Sequence, residues 1–323
     1  MTEKRQPANN RLIYGCMGLG GPWEGSEYGA AEIEQAAAAI DAAMGIGISL
    51  FDHADIYRNG KSEAVFGEVM SRTAGLRERI QLQTKCGIRL SQPGVEGHYD
   101  LSKDAILKRV NGSLERLKTD YVDVLLLHRP DPLMEPAEVA SAVGQLMAEG
   151  KVRQLGVSNM SGAQIAFLQD QLEVSIVANQ LEMSLHRRAW LESTVLVNHD
   201  DSRGYSFPHG TLEHCVSRGI ELQAYGSLAQ GRYTGSTSDA PTAADSATTA
   251  LVAQLAGEKG ATPESVLLGW LMKHPARISP VLGSSNPGRI VACADADAAA
   301  VATAMTRAEW YGLWVAARGS RLP

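Results

Sequence analysis

Short apolar runs alternate with longer amphipathic stretches along nearly the whole chain, and this alternation limits the choice of fold more than any other feature. The runs at Leu12–Gly15, Ile46–Phe51, Ile80–Thr84, Val122–Leu127, Val152–Val157, Ile176–Asn179, Ile220–Ala224 and Ile278–Leu282 read as strands. Helices are expected between them, over Ala30–Met44, Ser62–Arg72, Ser102–Leu117, Pro136–Glu149, Ser161–Gln169, Thr211–Arg218 and Ala243–Lys259. A last helix is expected over Thr306–Ala317, with Thr306 as its cap ahead of Glu309. Ser102 and Ser161 stand where N-caps belong, and Gly45, Gly150 and Gly219 stand where helices end in positive φ.

Such an order fits an α/β fold, a (β/α)8 barrel of the TIM type, better than an open sheet. No break in composition marks a boundary, so one domain is expected over residues 1–323, with the extra C-terminal helix and long loops at the catalytic mouth. Two such connections are Arg187–Gly210 and the Ser-, Thr-, Ala- and Gly-rich stretch Gly231–Thr249, read as a mobile loop. The net charge of −6 comes with no basic stripe, which argues against a nucleic-acid partner. No apolar run reaches the ~20 residues that cross a bilayer, and none follows Met1–Arg5 as a secretory signal would. Cys16, Cys86, Cys215 and Cys293 lie far apart, which reads as reduced thiols in a cytoplasmic protein. No heptad or apolar stripe demands a partner, so a monomer or weak homo-oligomer is expected. The glycines from Gly15 to Gly21 do not make a dinucleotide fingerprint, because Trp23 stands where the last glycine would be. His209 and His214 are wrongly spaced for one helix face, and no metal site is expected.

In a parallel barrel, residues at the C-terminal ends of strands converge on one mouth. Asp52 in D-H-A-D-I-Y, Lys85 in L-Q-T-K-C and His128 in L-L-L-H-R-P meet that condition, and Tyr57 closes the segment that Asp52 opens. Reducing a carbonyl takes a hydride on carbon and a proton on oxygen. A phenol with a pKa of ~10 is a reluctant donor near neutrality. A Lys85 ammonium beside Tyr57 should favour the phenolate and bring its effective pKa down. Asp52 would then supply the counter-charge that a dry ammonium needs. His128 would hold the substrate oxygen and polarise the C=O. Each also has a plain structural reading: Tyr57 as a rim residue, Asp52 as a loop cap, His128 as a core histidine. His53 reads as a loop or supporting residue, and Cys86 as a packed strand-end thiol.

Taken together, F-D-H-A-D-I-Y at 51–57, T-K-C-G at 84–87, L-L-H-R-P-D at 126–131, G-K-V-R-Q-L-G-V-S-N at 150–159, N-Q at 179–180 and A-Y-G-S-L at 224–228 resemble the aldo-keto reductases, and within them a bacterial oxidoreductase subgroup. The likeness runs from about Leu12 to Trp314. It implies a metal-free barrel that reduces aldehydes or ketones to alcohols with NADPH bound in extended form. It assigns Tyr57 as acid, Lys85 and Asp52 as its tuning pair and His128 as the orienting group. A nucleotide-sensing subunit with slow turnover is the alternative within the same family.

On the cofactor side, Ser158, Asn159 and Gln180 would meet the nicotinamide carboxamide, and Tyr225 resembles the ring on which nicotinamide stacks. The run Gly226, Ser227, Leu228 and then Gly231 offers backbone N–H groups to the pyrophosphate. After the last strand, Gly283, Ser284, Ser285, Asn286 and Arg289 resemble a 2′-phosphate site, with Arg289 as the permanently charged partner. Departures there are Gly283 where a Lys is often near, and Ala292 and Cys293 where Asn or Glu is common. Trp23, Tyr28, Ile56, His98, Tyr99 and Arg129 are the expected substrate walls.

Overall fold

The structure is a computed structural model that describes residues 11–25, 27–235 and 240–323, with the side chains of 295–297 left aside. The N-terminal residues 1–10 and part of the Gly231–Thr249 stretch thus lie outside the described residues.

Eight parallel strands close into a barrel in chain order: Ile13–Gly15, Leu50–Asp52, Gln81–Cys86, Val122–Leu127, Val152–Ser158, Ile176–Glu182, Glu221–Tyr225 and Ser279–Leu282. The circle closes through Ile13 opposite Val281 and Tyr14 opposite Phe51. The register then fixes the mouth: Asp52 lies opposite Gln83, Lys85 opposite Leu126, Ser158 opposite Gln180, and Glu182 opposite Tyr225. Along each strand alternate residues face opposite ways. Leu82 and Cys86 join the layer beneath the helices, whereas Gln83 and Lys85 face the barrel interior. A small apolar plug of Ile13, Leu50 and Val281, and another of Val124, Leu126 and Ala178, fill space away from the polar groups.

The strands run longer at their C-terminal ends than their apolar runs suggest. The third strand continues through Lys85 to Cys86, the fifth takes in Ser158 and the sixth takes in Gln180. Ile46–Ser49, expected as strand, instead leaves the helix Ala30–Gly45, and the left-handed turn falls at Gly47 (φ 86°) rather than Gly45. Ser102 precedes its helix but gives no capping bond; its hydroxyl donates to Asp100 at 2.7 Å. Ser161 and Thr306 cap as expected, each in a reciprocal pair with Gln164 or Glu309.

One connection holds more structure than its composition suggests. Within Arg187–Gly210 a helix forms at Ala189–Val195 and a 3-10 turn at Asp200–Gly204. The helix expected over Ala243–Lys259 forms with those bounds, capped by Thr242 and Asp245, and takes up the end of the Gly231–Thr249 stretch. The helix Pro263–Lys273 was not apparent from periodicity. Every residue from Ser265 to Met272 is buried, so its sequence shows no polar face. It stacks Trp270 on Trp310 at 5.3 Å, each indole N–H donating to the other's backbone carbonyl at 3.0 Å.

The early glycines serve packing. A Cβ at Gly15 would sit 2.8 Å from the carbonyl oxygen of Leu282, and Gly20 (φ 87°) lies equally close to the Lys61 backbone.

Candidate active site

The four expected catalytic residues meet at the mouth. Lys85 and Asp52 reach it from adjacent strands, and Tyr57 enters from the loop that follows Asp52. The Lys85 ammonium, fully buried, lies 2.6 Å from the Asp52 carboxylate and 2.9 Å from the Tyr57 hydroxyl. Its third donor goes to the backbone carbonyl of His53 at 2.9 Å, so all three N–H bonds are used. The His128 ring stands edge-on to Tyr57 with centroids 6.1 Å apart. Its Nδ1 is buried without a hydrogen-bond partner.

Burial disfavours every charge here, and the arrangement decides which survive. Burial alone would lower the Lys85 pKa; Asp52 and the Tyr57 oxygen outweigh it and hold the ammonium above its ordinary value. For Tyr57, burial raises the pKa, Lys85 pulls it down and Asp52 pushes it up. The net shift is upward. This corrects the expectation of a lowered phenol: water exclusion outweighs the ammonium, and the group is a firmly protonated donor. His128 is held neutral, its pKa taken down to about 2 by burial, then by Lys85 and Arg129. His53 is neutral for the same first reason, down to about 3, packed edge-on against Phe66.

Several supporting groups were not evident in the sequence. Gln83 donates to the other Asp52 oxygen at 2.6 Å, and exchanges hydrogen bonds with Gln223. Gln223 accepts from Gln180 at 3.1 Å. Their signal was the two-residue alternation Gln83–Lys85 and Gln223–Tyr225, which puts each amide inside the barrel beneath a mouth residue. Asp55 bonds Arg109 at 3.1 Å, tying the Tyr57 loop to the helix Lys103–Leu117. Nothing local in the sequence pairs residues that far apart.

The nicotinamide-side residues form one connected set. Tyr225 donates its hydroxyl to Asn159 Oδ1 at 3.0 Å, Asn159 donates to Ser158 Oγ at 2.8 Å, and Ser158 donates to the Gln180 carbonyl at 3.0 Å. Asn159 takes a left-handed backbone (φ 58°), an unfavourable state that its hydrogen bonds hold in place. The half-buried Tyr225 ring is thus fixed at the mouth. A primary amide has both donors and acceptors, and this set of hydroxyl and amide groups fits it. The Gly226–Gly231 turn is left-handed at Gly226, Ala229, Gln230 and Gly231. Ser227 has its hydroxyl on the Val281 carbonyl at 2.9 Å, and Leu228 packs on the core, so neither side chain is offered to a ligand.

At the last loop, Ser284 Oγ accepts from the Asn286 N–H and Asn286 caps the helix at Pro287. Gly283 is exposed and Ser285 half-buried. The Arg289 side chain is exposed, with no hydrogen bond or ion pair among the described residues. A free guanidinium beside hydroxyl groups fits a phosphate monoester.

The expected substrate walls do not behave alike. Trp23 joins the catalytic loop: Arg58 lies over its ring at 5.2 Å and Asn59 donates to its carbonyl at 2.9 Å. Ile56 is half-buried between Asp55 and Tyr57. Tyr28 packs against the core, which favours its structural reading. His98 and Tyr99 lie exposed on a hairpin with Ile88–Arg89, with no ring contact or hydrogen bond to the catalytic four. Arg129 borders a cavity of about 610 Å³.

Residues 11–309 match the Aldo/keto reductase family, and the chain belongs to it. It is 37% identical to the uncharacterized oxidoreductase YcsN of Bacillus subtilis (strain 168), over 86% of each chain. It is 33% identical to a 6-dehydroglucose reductase of Agrobacterium fabrum, over 97% of this chain and 96% of that one. Among solved structures, an aldo-keto reductase from Klebsiella pneumoniae in complex with NADPH superposes with a TM-score of 0.69 at 25% identity, covering 94% of this chain and 89% of the other. The protein is an NAD(P)H-dependent oxidoreductase of that family.

Proposed function

We propose that the protein reduces aldehydes or ketones to alcohols with NADPH, and that Tyr57 delivers the proton. The observation that carries this is the Tyr57 hydroxyl 2.9 Å from a fully buried Lys85 ammonium, itself 2.6 Å from Asp52. NADPH, when bound, supplies the hydride. Ser158, Asn159 and Gln180 would orient its carboxamide, Tyr225 would face the nicotinamide ring, and Arg289 would hold the 2′-phosphate.

The remaining steps belong to the protein. A neutral His128 holds the carbonyl oxygen without adding a charge that would repel Lys85. As negative charge grows on that oxygen, the Tyr57 proton moves to it, and the phenolate left behind is stabilised by the adjacent ammonium. Asp52 keeps Lys85 charged throughout, and Gln83 keeps Asp52 in place. Alcohol oxidation runs through the same groups in reverse. The four cysteines are buried free thiols, which supports the proposed cytoplasmic location. The test is a panel of aliphatic, aromatic and sugar aldehydes mixed with the NADPH complex under single-turnover conditions. Loss of cofactor absorbance with stoichiometric alcohol is expected; a bound cofactor that no carbonyl compound oxidises would overturn the proposal.

A further inference from the structure

The 610 Å³ cavity is lined by Arg129, Asn159 and Tyr225 among others, and the Asn159 amide also donates to the His128 backbone carbonyl at 3.5 Å. The cavity extends outward beneath the Ala189–Val195 helix and the segment from Gly204 to Pro208, where Trp190, Tyr205 and Phe207 give it apolar walls. Four basic side chains border it and one acidic. Their pairing is uneven. Arg187 is taken by Glu182 at 3.4 Å and Arg188 by the buried Glu192 at 3.1 Å. The surroundings of His186, first burial and then Arg232 and Arg187, oppose its protonation. Arg129 is left. Among the described residues it has no carboxylate partner, only the neutral Tyr225 hydroxyl. It is half-buried, so its charge is only partly hydrated.

An unpaired guanidinium in a partly dry pocket is costly, and a carboxylate satisfies it with two parallel hydrogen bonds. The position suits a substrate. Arg129 follows His128 directly, and its charge is felt at the His128 ring. Asn159 joins the cavity wall to the His128 backbone, so a group held by Arg129 would lie on the His128 side of the mouth.

We infer that the preferred carbonyl substrate carries a carboxylate or similar anionic group, with Arg129 as the specificity residue that binds it and the cavity's aromatic walls enclosing the body of the molecule. The inference rests on the carbonyl-reductase reading and names the substrate class of that same site. Glu182, the one acid on the cavity wall, is screened by Arg187 and does not cancel Arg129.

The test compares 4-carboxybenzaldehyde with its neutral isostere 4-nitrobenzaldehyde, using the NADPH complex of the wild type, Arg129→Met and Arg129→Gln. The ratio of kcat/KM values, carboxy over nitro, should fall at least tenfold in both variants, and in the wild type it should fall as salt is raised. In parallel, calorimetric titration of benzoate into the NADP⁺ complex should show binding at least tenfold weaker in both variants. An unchanged ratio with both aldehydes turned over, or benzoate binding independent of residue 129, overturns the inference. If the wild type reduces neither aldehyde, the reductase reading fails instead, and the benzoate titration alone decides whether Arg129 holds an anion.

Discussion

Replacing Asp52 with Asn tests the electrostatic centre of the site by stability rather than by activity. The substitution keeps the shape and leaves an amide for Gln83, but it removes the one carboxylate paired with Lys85 among the described residues. Both side chains are buried, at 0% and 2% exposure, so solvent does little to soften the loss. Breaking one partner of a buried pair costs ~3–5 kcal/mol. For 323 residues the unfolding entropy near 60 °C is about 0.7 kcal/mol/K, so Tm should drop by ~4–7 °C. The pH dependence identifies the cause. Lys85 has a raised pKa in the folded wild type, so its contribution is complete below the ordinary lysine value and is lost as pH rises through the folded one. In Asp52→Asn the lone ammonium is relieved by losing its proton. Between pH 7 and pH 10 the wild-type contribution is still complete and the variant alone recovers, so the stability gap should narrow across that range. Paired thermal scans across that range measure it. A gap that is absent at pH 7, or that widens toward pH 10, refutes the reasoning.

Three further outcomes follow from other contacts. Burial, partly offset by Arg109, pushes the Asp55 carboxyl up to about 7; raised above its unfolded value, it loses stability as pH climbs from about 4 to 7. Asp55→Asn should therefore gain on the wild type by roughly 2–4 kcal/mol between pH 5 and pH 8, read by urea denaturation, and a constant difference would contradict the assignment. Glu192→Ala strands the Trp314 indole N–H and takes from Arg188 and Arg318 their buried carboxylate, to which all three are bonded at 2.9–3.1 Å, and should cost ~3–5 kcal/mol in the same assay; a loss under 1 kcal/mol would deny Glu192 a role in fixing the Ala189–Val195 helix. Arg289→Ala should raise the NADPH dissociation constant at least tenfold and the NADH one far less, since only the former carries a 2′-phosphate; equal losses in fluorescence titrations would remove Arg289 from the phosphate site.

The barrel was legible because eight of its helices and all its strands show their periodicity locally. Pro263–Lys273 was not, since a helix buried on every side has no polar stripe to reveal it. Tyr57, Lys85, Asp52 and His128 could be found because each closes or follows an apolar run, and the barrel brings such ends together. Their partners Gln83, Gln223 and Arg109 were hidden because those contacts span distant parts of the chain. The direction of the Tyr57 shift was misjudged for a related reason. The ammonium beside it is visible in the sequence, but the depth of burial that outweighs it depends on the whole fold.

The proton-donor role is tested most directly by stopped-flow measurement of hydride transfer from pre-bound NADPH to a good aldehyde substrate, in the wild type and in Tyr57→Phe. The variant should bind NADPH within about twofold of the wild type, while the transfer step slows by ~10²–10⁴-fold. Transfer at the wild-type rate without the phenol would contradict the central claim.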